Sequence, residues 1–410
     1  MIMLLSLCAC NTETKQTQTT TTTTTDGQQN EAPQTVSLKI AGTDISEYRI
    51  VYSRAEYYAQ GPKVFTTEWD FYKLIAKDVS ERIAALTGVY LPVYQDSRIK
   101  EDGKKEILVG PTNRALSDVY DKMDAYSYQN NVKDGNLVIG GGYNSSYLIN
   151  DIKISYSWGS TYHAFDYIEE YIKAKMNEGV SDIDLAEGFE QKGKAELKTV
   201  ACIGDSITEG FKASDWNYCS FPAVMQRILW KDYIVINYGA RGGSMRNDLK
   251  KPYTAQAQYT AAVQHAELFD LAFIMLGTND SNYDATFSSE DNQEFKADAL
   301  ALANTLRDKN SNVKITLMNC PVYYGSKSPA APFIRDLQED VYELYKENGF
   351  DVTFYDMYTF TKNELGSSRF PDQIHPNDEG YAIMGEEMAR IVPSIFDGSW
   401  DSDKQSAVQS

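Results

Sequence analysis

Ser206, Asp372 and His375 are an alcohol, a carboxylate and an imidazole that together could cleave an acyl ester. Ser206 ends the apolar run of ACIGDSITEG, while Asp372 and His375 share the loop-like segment PDQIHPNDEGY. Acyl transfer needs a nucleophile, a base to take its proton, a group to orient the base, and N–H donors facing the oxygen that gains charge. In that scheme Ser206 attacks, His375 accepts the proton and returns it to the leaving alcohol, and Asp372 holds the second imidazole nitrogen. The backbone N–H groups of Ser206 and Gly242 (in NYGARGG) and the side-chain amide of Asn279 (in GTND) are candidate oxyanion donors. No cofactor and no metal enter this chemistry, and no His or Cys pair stands at metal-ligand spacing.

A blander role exists for each residue. Serine is a favoured helix N-cap, and Ser206 can fill that position and still be a nucleophile. Asp205 is adjacent to the serine, which suits a loop-orienting group better than a triad acid. His163 and His265 lie on apparent helices far from these motifs and read as structural, which leaves His375 as the candidate base.

The elements that must carry these motifs are strands. KTVACI, YIVIN, LAFIML, VKITLMN and VTFY are buried-type runs separated by helix-like stretches, the pattern of a parallel sheet covered by helices on both faces. In such sheets, sites form beyond the carboxyl ends of the strands. Gly204-Asp205-Ser206, Asn237 to Gly243 and Gly277 to Asp280 follow the first three runs, so all fall on one edge, with Asp372 and His375 within reach before the last helix.

GDSITEG, NYGARGG, GTND and DQIHP resemble the four blocks of the SGNH, or GDSL-type, hydrolases, in that family's order, with Ser206, Gly242, Asn279 and His375 matching its four letters. The resemblance covers about residues 197–396. It implies a flavodoxin-like, three-layer α/β/α domain with a five-stranded parallel sheet and an esterase, lipase, thioesterase or carbohydrate deacetylase activity. Ile207 replaces a common Leu and Thr278 a Gly found in some members; neither is a catalytic group. No Gly-x-Ser-x-Gly elbow of the α/β-hydrolase kind occurs.

Ahead of this half, residues 36–180 alternate between strand and helix patterns: SEYRIVYS, VYLPVYQD, KEILVGP and GNLVIGGG read as strands. Phe71, Leu74, Ile75, Val79, Ile83 and Leu86 recur at helical spacing, with Thr67 and Asp70 to form an N-terminal cap and Gly88 to end the helix. A second helix is expected over about 161–176. Gly140 to Gly142 lack the residues of a phosphate cradle and read as a turn. This order resembles the non-catalytic α/β domain at the N-terminus of several glycoside hydrolases, which implies a polysaccharide setting and supplies no site residue. Residues 181–196, polar and without periodicity, read as a linker, and 397–410 as a polar tail.

The N-terminus, MIMLLSLCAC, is a short apolar run, and Leu7-Cys8-Ala9-Cys10 resembles the bacterial lipobox, which implies lipidation at Cys10. It lacks the usual basic start and is far short of the about 20 residues needed to span a bilayer. Residues 11–35, with Thr19 to Thr25 unbroken, read as a disordered tether. The expected location is the extracellular face of a bacterial membrane, where the only membrane contact is the lipid anchor. A net charge of −19 argues against nucleic acid as a partner. The scattered Cys202, Cys219 and Cys320 read as free thiols.

A tethered hydrolase with an accessory domain of this kind is expected to remove O-acetyl or similar short acyl groups from polysaccharides or oligosaccharides. Trp216, Tyr218, Tyr323, Tyr324 and Phe370 are candidates for stacking on sugar rings. The alternatives are a lipid or aryl esterase of the same family and, from another class, a catalytically silent glycan-binding lipoprotein.

Overall fold

Buried β-branched and aromatic residues at strand spacing build three sheets in the computed structural model, which describes residues 35–54, 70–142, 153–280, 288–325 and 330–402. The described residues all belong to one compact unit. Cys10 and the threonine tract lie outside them, as does Thr67.

The N-terminal region contains β1 (Ser37–Ile40), β2 (Thr43–Asp44), β3 (Arg49–Tyr52), α1 (Phe71–Thr87), β4 (Val93–Gln95), β5 (Glu106–Val109), β6 (Ser127–Lys133), β7 (Asn136–Gly141), α2 (Lys153–Asn177), β8 (Asp182–Leu185) and β9 (Glu190–Lys194). A six-stranded sheet runs β4-β3-β5-β7-β6-β9, and a three-stranded one runs β2-β1-β8. The apolar stripe of α1 (Phe71, Ile75, Val79, Ile83) is buried against this region, Asp70 accepts from the Lys73 N–H at its start, and Gly88 ends it in the left-handed conformation. Burying each such apolar side chain stabilises the fold by about 1.5–3 kcal/mol before entropy is counted.

Three expectations are corrected here. Residues 181–196 are no linker: β8 pairs parallel with β1, and β9 pairs antiparallel with β6, so this stretch completes both sheets. Helix α2 begins at Lys153, well before 161. Gly140 and Gly141 lie in β7 rather than in a turn, because a Cβ there would fall 2.7 Å from the Tyr120 ring and 1.9 Å from the Ser160 hydroxyl. Close packing, and not a turn, requires those two glycines.

The C-terminal region follows the expected alternation: β10 (Lys198–Gly204), α3 (Ser206–Glu209), α4 (Trp216–Cys219), α5 (Phe221–Ile228), β11 (Tyr233–Gly239), α6 (Ala257–His265), β12 (Leu271–Met275), α7 (Ser289–Lys309), β13 (Lys314–Met318), α8 (Ala330–Glu347), β14 (Val352–Tyr355), α9 (Met357–Glu364) and α10 (Asp378–Phe396). The sheet order is β11-β10-β12-β13-β14, and every pairing is parallel. This is the doubly wound, flavodoxin-like order, whose switch point lies beside the first strand. Two apolar clusters lie on its faces, one around Ile203, Ile236, Ile274 and Leu317, the other around Cys202, Met275, Met318 and Tyr355. The supposed tail is partly packed: Trp400 stacks on Tyr355 at 5.8 Å.

The two regions meet at the amino ends of β10 and β11. Trp230, just before β11, sits in the N-terminal core beside Phe71 (5.0 Å) and Tyr162 (5.5 Å). Tyr126 and Thr199 share a hydroxyl hydrogen bond of 2.7 Å, and His163 lies 3.1 Å from the Lys231 carbonyl. The opposite, carboxyl edge of the sheet is left to the motif loops.

Candidate active site

At that carboxyl edge β10 ends in Gly204, and Asp205 breaks the strand by capping α3: its carboxylate accepts from the Ile207 N–H at 2.9 Å. Asp205, rather than Ser206, is therefore the cap, and Ser206 becomes the first helical residue. Burial pushes the Asp205 carboxyl up to about 6, although the Ile207 N–H and the Thr278 side chain favour its ionised form. Ser206 is buried, and its Oγ lies 2.8 Å from Nε2 of His375.

His375 is brought there by the loop between α9 and α10. Asp372 organises this turn: Oδ1 accepts the N–H groups of Ile374 (3.1 Å) and His375 (2.8 Å), while Oδ2 lies 2.8 Å from Nδ1 of His375. Gln373 takes up the left-handed conformation (φ 73°) that the tight turn demands. Burial opposes ionisation of Asp372, but the hydrogen bonds from His375 outweigh it and hold the carboxyl below its ordinary value. With the carboxylate as acceptor, the imidazole proton belongs on Nδ1, so Nε2 is free to accept from the Ser206 hydroxyl.

The remaining motifs form the neighbouring loops. After β11, the Ala240 N–H donates to the Gly204 carbonyl (2.9 Å), and Gly243 closes a turn on Ala240 (2.9 Å). Gly242 sits within it at φ 78°, a conformation that strains any residue with a Cβ. Asn279, following β12, donates from Nδ2 to the Gly243 carbonyl at 2.9 Å, which ties the two candidate donor loops together. An amide nitrogen has two hydrogens, so one remains for a ligand oxygen.

Two contributors went unread in the sequence. Asp280 is buried under the Gly242 loop and accepts the N–H groups of Met245 (3.0 Å) and Arg246 (2.9 Å). Its carboxyl is pushed up to about 7 by burial, against those two hydrogen bonds. The Phe211 and His375 rings meet edge to face (centroids 4.8 Å apart, 87°), and the Arg241 guanidinium lies over the Phe211 ring at 4.2 Å. The Tyr381 hydroxyl of α10 donates to the Phe211 carbonyl (2.8 Å), fixing that loop. The position of Asp280 beside Asn279 in GTND was the only available signal for it; Phe211 had none.

Other candidates fall outside the site. Tyr323 and Phe370 are buried in the core, so neither has a face for stacking on a sugar. Tyr324 packs on Phe370 and donates its hydroxyl to the Leu365 carbonyl, while the Tyr218 ring is covered by Arg227. Trp216 lies on α4, half-buried. His265 is buried, with Nδ1 3.0 Å from the Tyr238 hydroxyl, and His163 pairs with Asp166 (2.7 Å) and Asp232 (3.2 Å) at the junction of the two regions. Cys202 and Cys320 are buried free thiols. Among the described residues, no cluster of His, Cys, Asp and Glu could hold a metal, and no helix is long and apolar enough to cross a membrane.

Residues 202–383 match the model of the GDSL-like Lipase/Acylhydrolase family. An acetylxylan esterase of Xylanibacter ruminicola is 28% identical over 48% of this chain and 44% of its own length, so the chain spans less than half of that relative. Among solved structures, a carbohydrate acetylesterase family member from Sinorhizobium meliloti is 21% identical, covering 48% of this chain and 99% of that one (TM-score 0.38). A family two carbohydrate esterase from Clostridium thermocellum, in complex with cellohexaose, is 17% identical over 51% and 69% of the two chains (TM-score 0.40).

Proposed function

We propose that this chain, whose C-terminal half belongs to the GDSL-like, or SGNH, family of carboxylic ester hydrolases, removes short acyl groups, O-acetyl above all, from carbohydrates. The observation that carries the reading is the continuous Ser206–His375–Asp372 hydrogen-bond chain, with both links at 2.8 Å. As Oγ of Ser206 attacks the ester carbonyl, its proton passes to Nε2 of His375. The resulting imidazolium is stabilised by Asp372 and returns the proton to the departing sugar hydroxyl. Water, activated by the same imidazole, then releases the acid from the acyl-serine. The N–H groups of Ser206 and Gly242, together with the Asn279 amide, would hold the negative oxygen in both halves of the reaction.

A carbohydrate ester is favoured over a lipid ester by the acetylxylan esterase relative. The lipobox-like Leu7 to Cys10 and the threonine tract support a lipid-anchored protein at the bacterial cell surface; labelling with a fatty-acid analogue, lost in Cys10→Ser, tests that. For the activity, Ser206→Ala is expected to abolish acetate release from acetylated xylan and from p-nitrophenyl acetate while circular dichroism and the melting curve stay unchanged. Undiminished release by the folded variant overturns the assignment.

A further inference from the structure

Arg241 and Gly242 are the two corner residues of the turn that Gly243 closes on Ala240, and among the described residues the peptide joining them makes no hydrogen bond. That peptide carries the candidate oxyanion N–H of Gly242. The donor is thus free for a ligand oxygen, and its place depends on what holds the corner. The backbone on either side is pinned, since the Ala240 N–H donates to the Gly204 carbonyl and Asn279 Nδ2 to the Gly243 carbonyl, each at 2.9 Å. The corner itself is anchored through the Arg241 side chain.

Two contacts provide this anchor. Nε of Arg241 donates to Oε2 of Glu209 at 2.9 Å, and Glu209 is the last residue of α3, the helix that Ser206 opens. The Glu209 side chain is 13% exposed against 54% for Arg241, so the pair is sheltered on its acidic side. The guanidinium also lies over the Phe211 ring at 4.2 Å. Phe211 is itself tied to the reacting groups: its N–H donates to the Ser206 carbonyl at 2.9 Å, its carbonyl accepts from the Tyr381 hydroxyl at 2.8 Å, and its ring meets that of His375 edge to face. Arg241 therefore closes a circuit from the nucleophile's helix through the oxyanion loop to the ring packed on the base. An exposed ion pair alone contributes little, because water competes for both groups. A guanidinium that is also backed by an aromatic ring has less freedom left, and it fixes its own backbone more firmly.

We propose that Arg241 is a positioning residue for ester hydrolysis: through Glu209 and Phe211 it holds the Gly242 N–H in register with Ser206 and His375. The proposal rests on the ester-hydrolase reading and adds a residue to that same site. Arg241→Ala should lower kcat on p-nitrophenyl acetate about 5–30-fold with KM changed less than about twofold, since a displaced donor loses transition-state stabilisation and leaves substrate binding in place. Glu209→Ala should lower kcat by less, because the ring contact stays. The Glu209→Ala/Arg241→Ala double variant should match Arg241→Ala, because Glu209 acts only through the guanidinium. Circular dichroism and melting curves identify the folded variants, and Arg241→Gln with Glu209→Gln, which keep the bulk, repeat the cycle if an alanine variant does not fold. An unchanged kcat in the folded Arg241 variant, a loss that appears in KM alone, or losses that multiply in the double variant overturn the proposal while hydrolysis that needs Ser206 continues in the wild-type protein. Absence of any hydrolysis that needs Ser206 in the wild-type protein, on acetylated xylan and on p-nitrophenyl acetate, defeats the ester-hydrolase reading itself.

Discussion

Asp372 grips His375 at two points, one carboxylate oxygen on the backbone N–H and the other on Nδ1, each at 2.8 Å. One side chain thus fixes both the turn and the tautomer. Asp372→Asn keeps the volume but can turn its NH₂ toward Nδ1, which moves the imidazole proton to Nε2 and removes the acceptor facing Ser206. The expected outcome is a fall in kcat of about 10³–10⁴-fold with KM little changed and the fold intact. Single-turnover measurements with p-nitrophenyl acetate check it; a loss below tenfold would show that Asp372 is not needed to orient the base.

Asn279 tests the oxyanion assignment separately. Its amide already holds the Gly243 carbonyl at 2.9 Å, so Asn279→Ala removes a donor and also unties the Gly242 loop. A decrease of about 10²–10³-fold in kcat is expected. Measuring Gly242→Ala beside it separates the two effects. The alanine keeps its N–H but meets the strain of φ 78° and the Lys251 side chain, so a smaller loss is expected than from Asn279→Ala. Equal losses would mean that loop shape, and not the Asn279 donor, limits the rate.

What the sequence disclosed follows from which groups are buried. The five strands of the C-terminal sheet have helices on both faces, so each is a continuous apolar run visible without a partner, and the Ser206, Gly242 and Asn279 motifs stand directly at strand ends. Strand β9, EQKGK, is a largely exposed sheet edge with no apolar pattern, and β6, SYQNNVK, alternates mostly with polar residues; neither gives a signal in one dimension. Asp280 belongs to the same class. Its meaning lies in the N–H groups of Met245 and Arg246, some 35 positions earlier, which only the fold brings to it. Ser206 stands out as a candidate nucleophile because the other motif blocks accompany it in order, and His375 as its candidate base because the chain has only three histidines; the capping by Asp205 required the backbone geometry.

Asp280 carries a pH signature. Burial raises its folded-state carboxyl to about 7, whereas an unfolded aspartate titrates near about 4. Between those values the folded protein binds the extra proton, so this group's contribution to stability falls as pH rises from about 4 to about 7 and stays at its lower level above that. Asp280→Asn does not titrate, so its stability should lack this downward slope, while the lost acceptor loosens the Met245 and Arg246 N–H groups at a cost of about 1–3 kcal/mol. Urea unfolding of both proteins at intervals from pH 4 to 8 gives the comparison. Parallel stability curves would mean that the Asp280 carboxyl is not held up by its burial. Activity of the variant should drop as well, since the loop it holds carries Gly242.

Trp230 joins the two regions at the edge of the sheet away from Ser206. It leaves the end of α5, enters the N-terminal core beside Phe71 and Tyr162, and is almost fully buried there. Trp230→Ala removes a large apolar surface from a packed site, so a loss of about 3–5 kcal/mol is expected in urea unfolding. The same contact couples the regions: with it gone, tryptophan fluorescence and the decay of esterase activity should report different midpoints, where the wild-type protein shows one. Because the contact lies at the amino ends of β10 and β11 and the Ser206–His375 pair at the carboxyl edge, kcat on p-nitrophenyl acetate in the absence of denaturant should be unchanged. Coincident midpoints in the variant would mean that the remaining links, Tyr126 to Thr199 and His163 to the Lys231 carbonyl, suffice to make the two regions one cooperative unit.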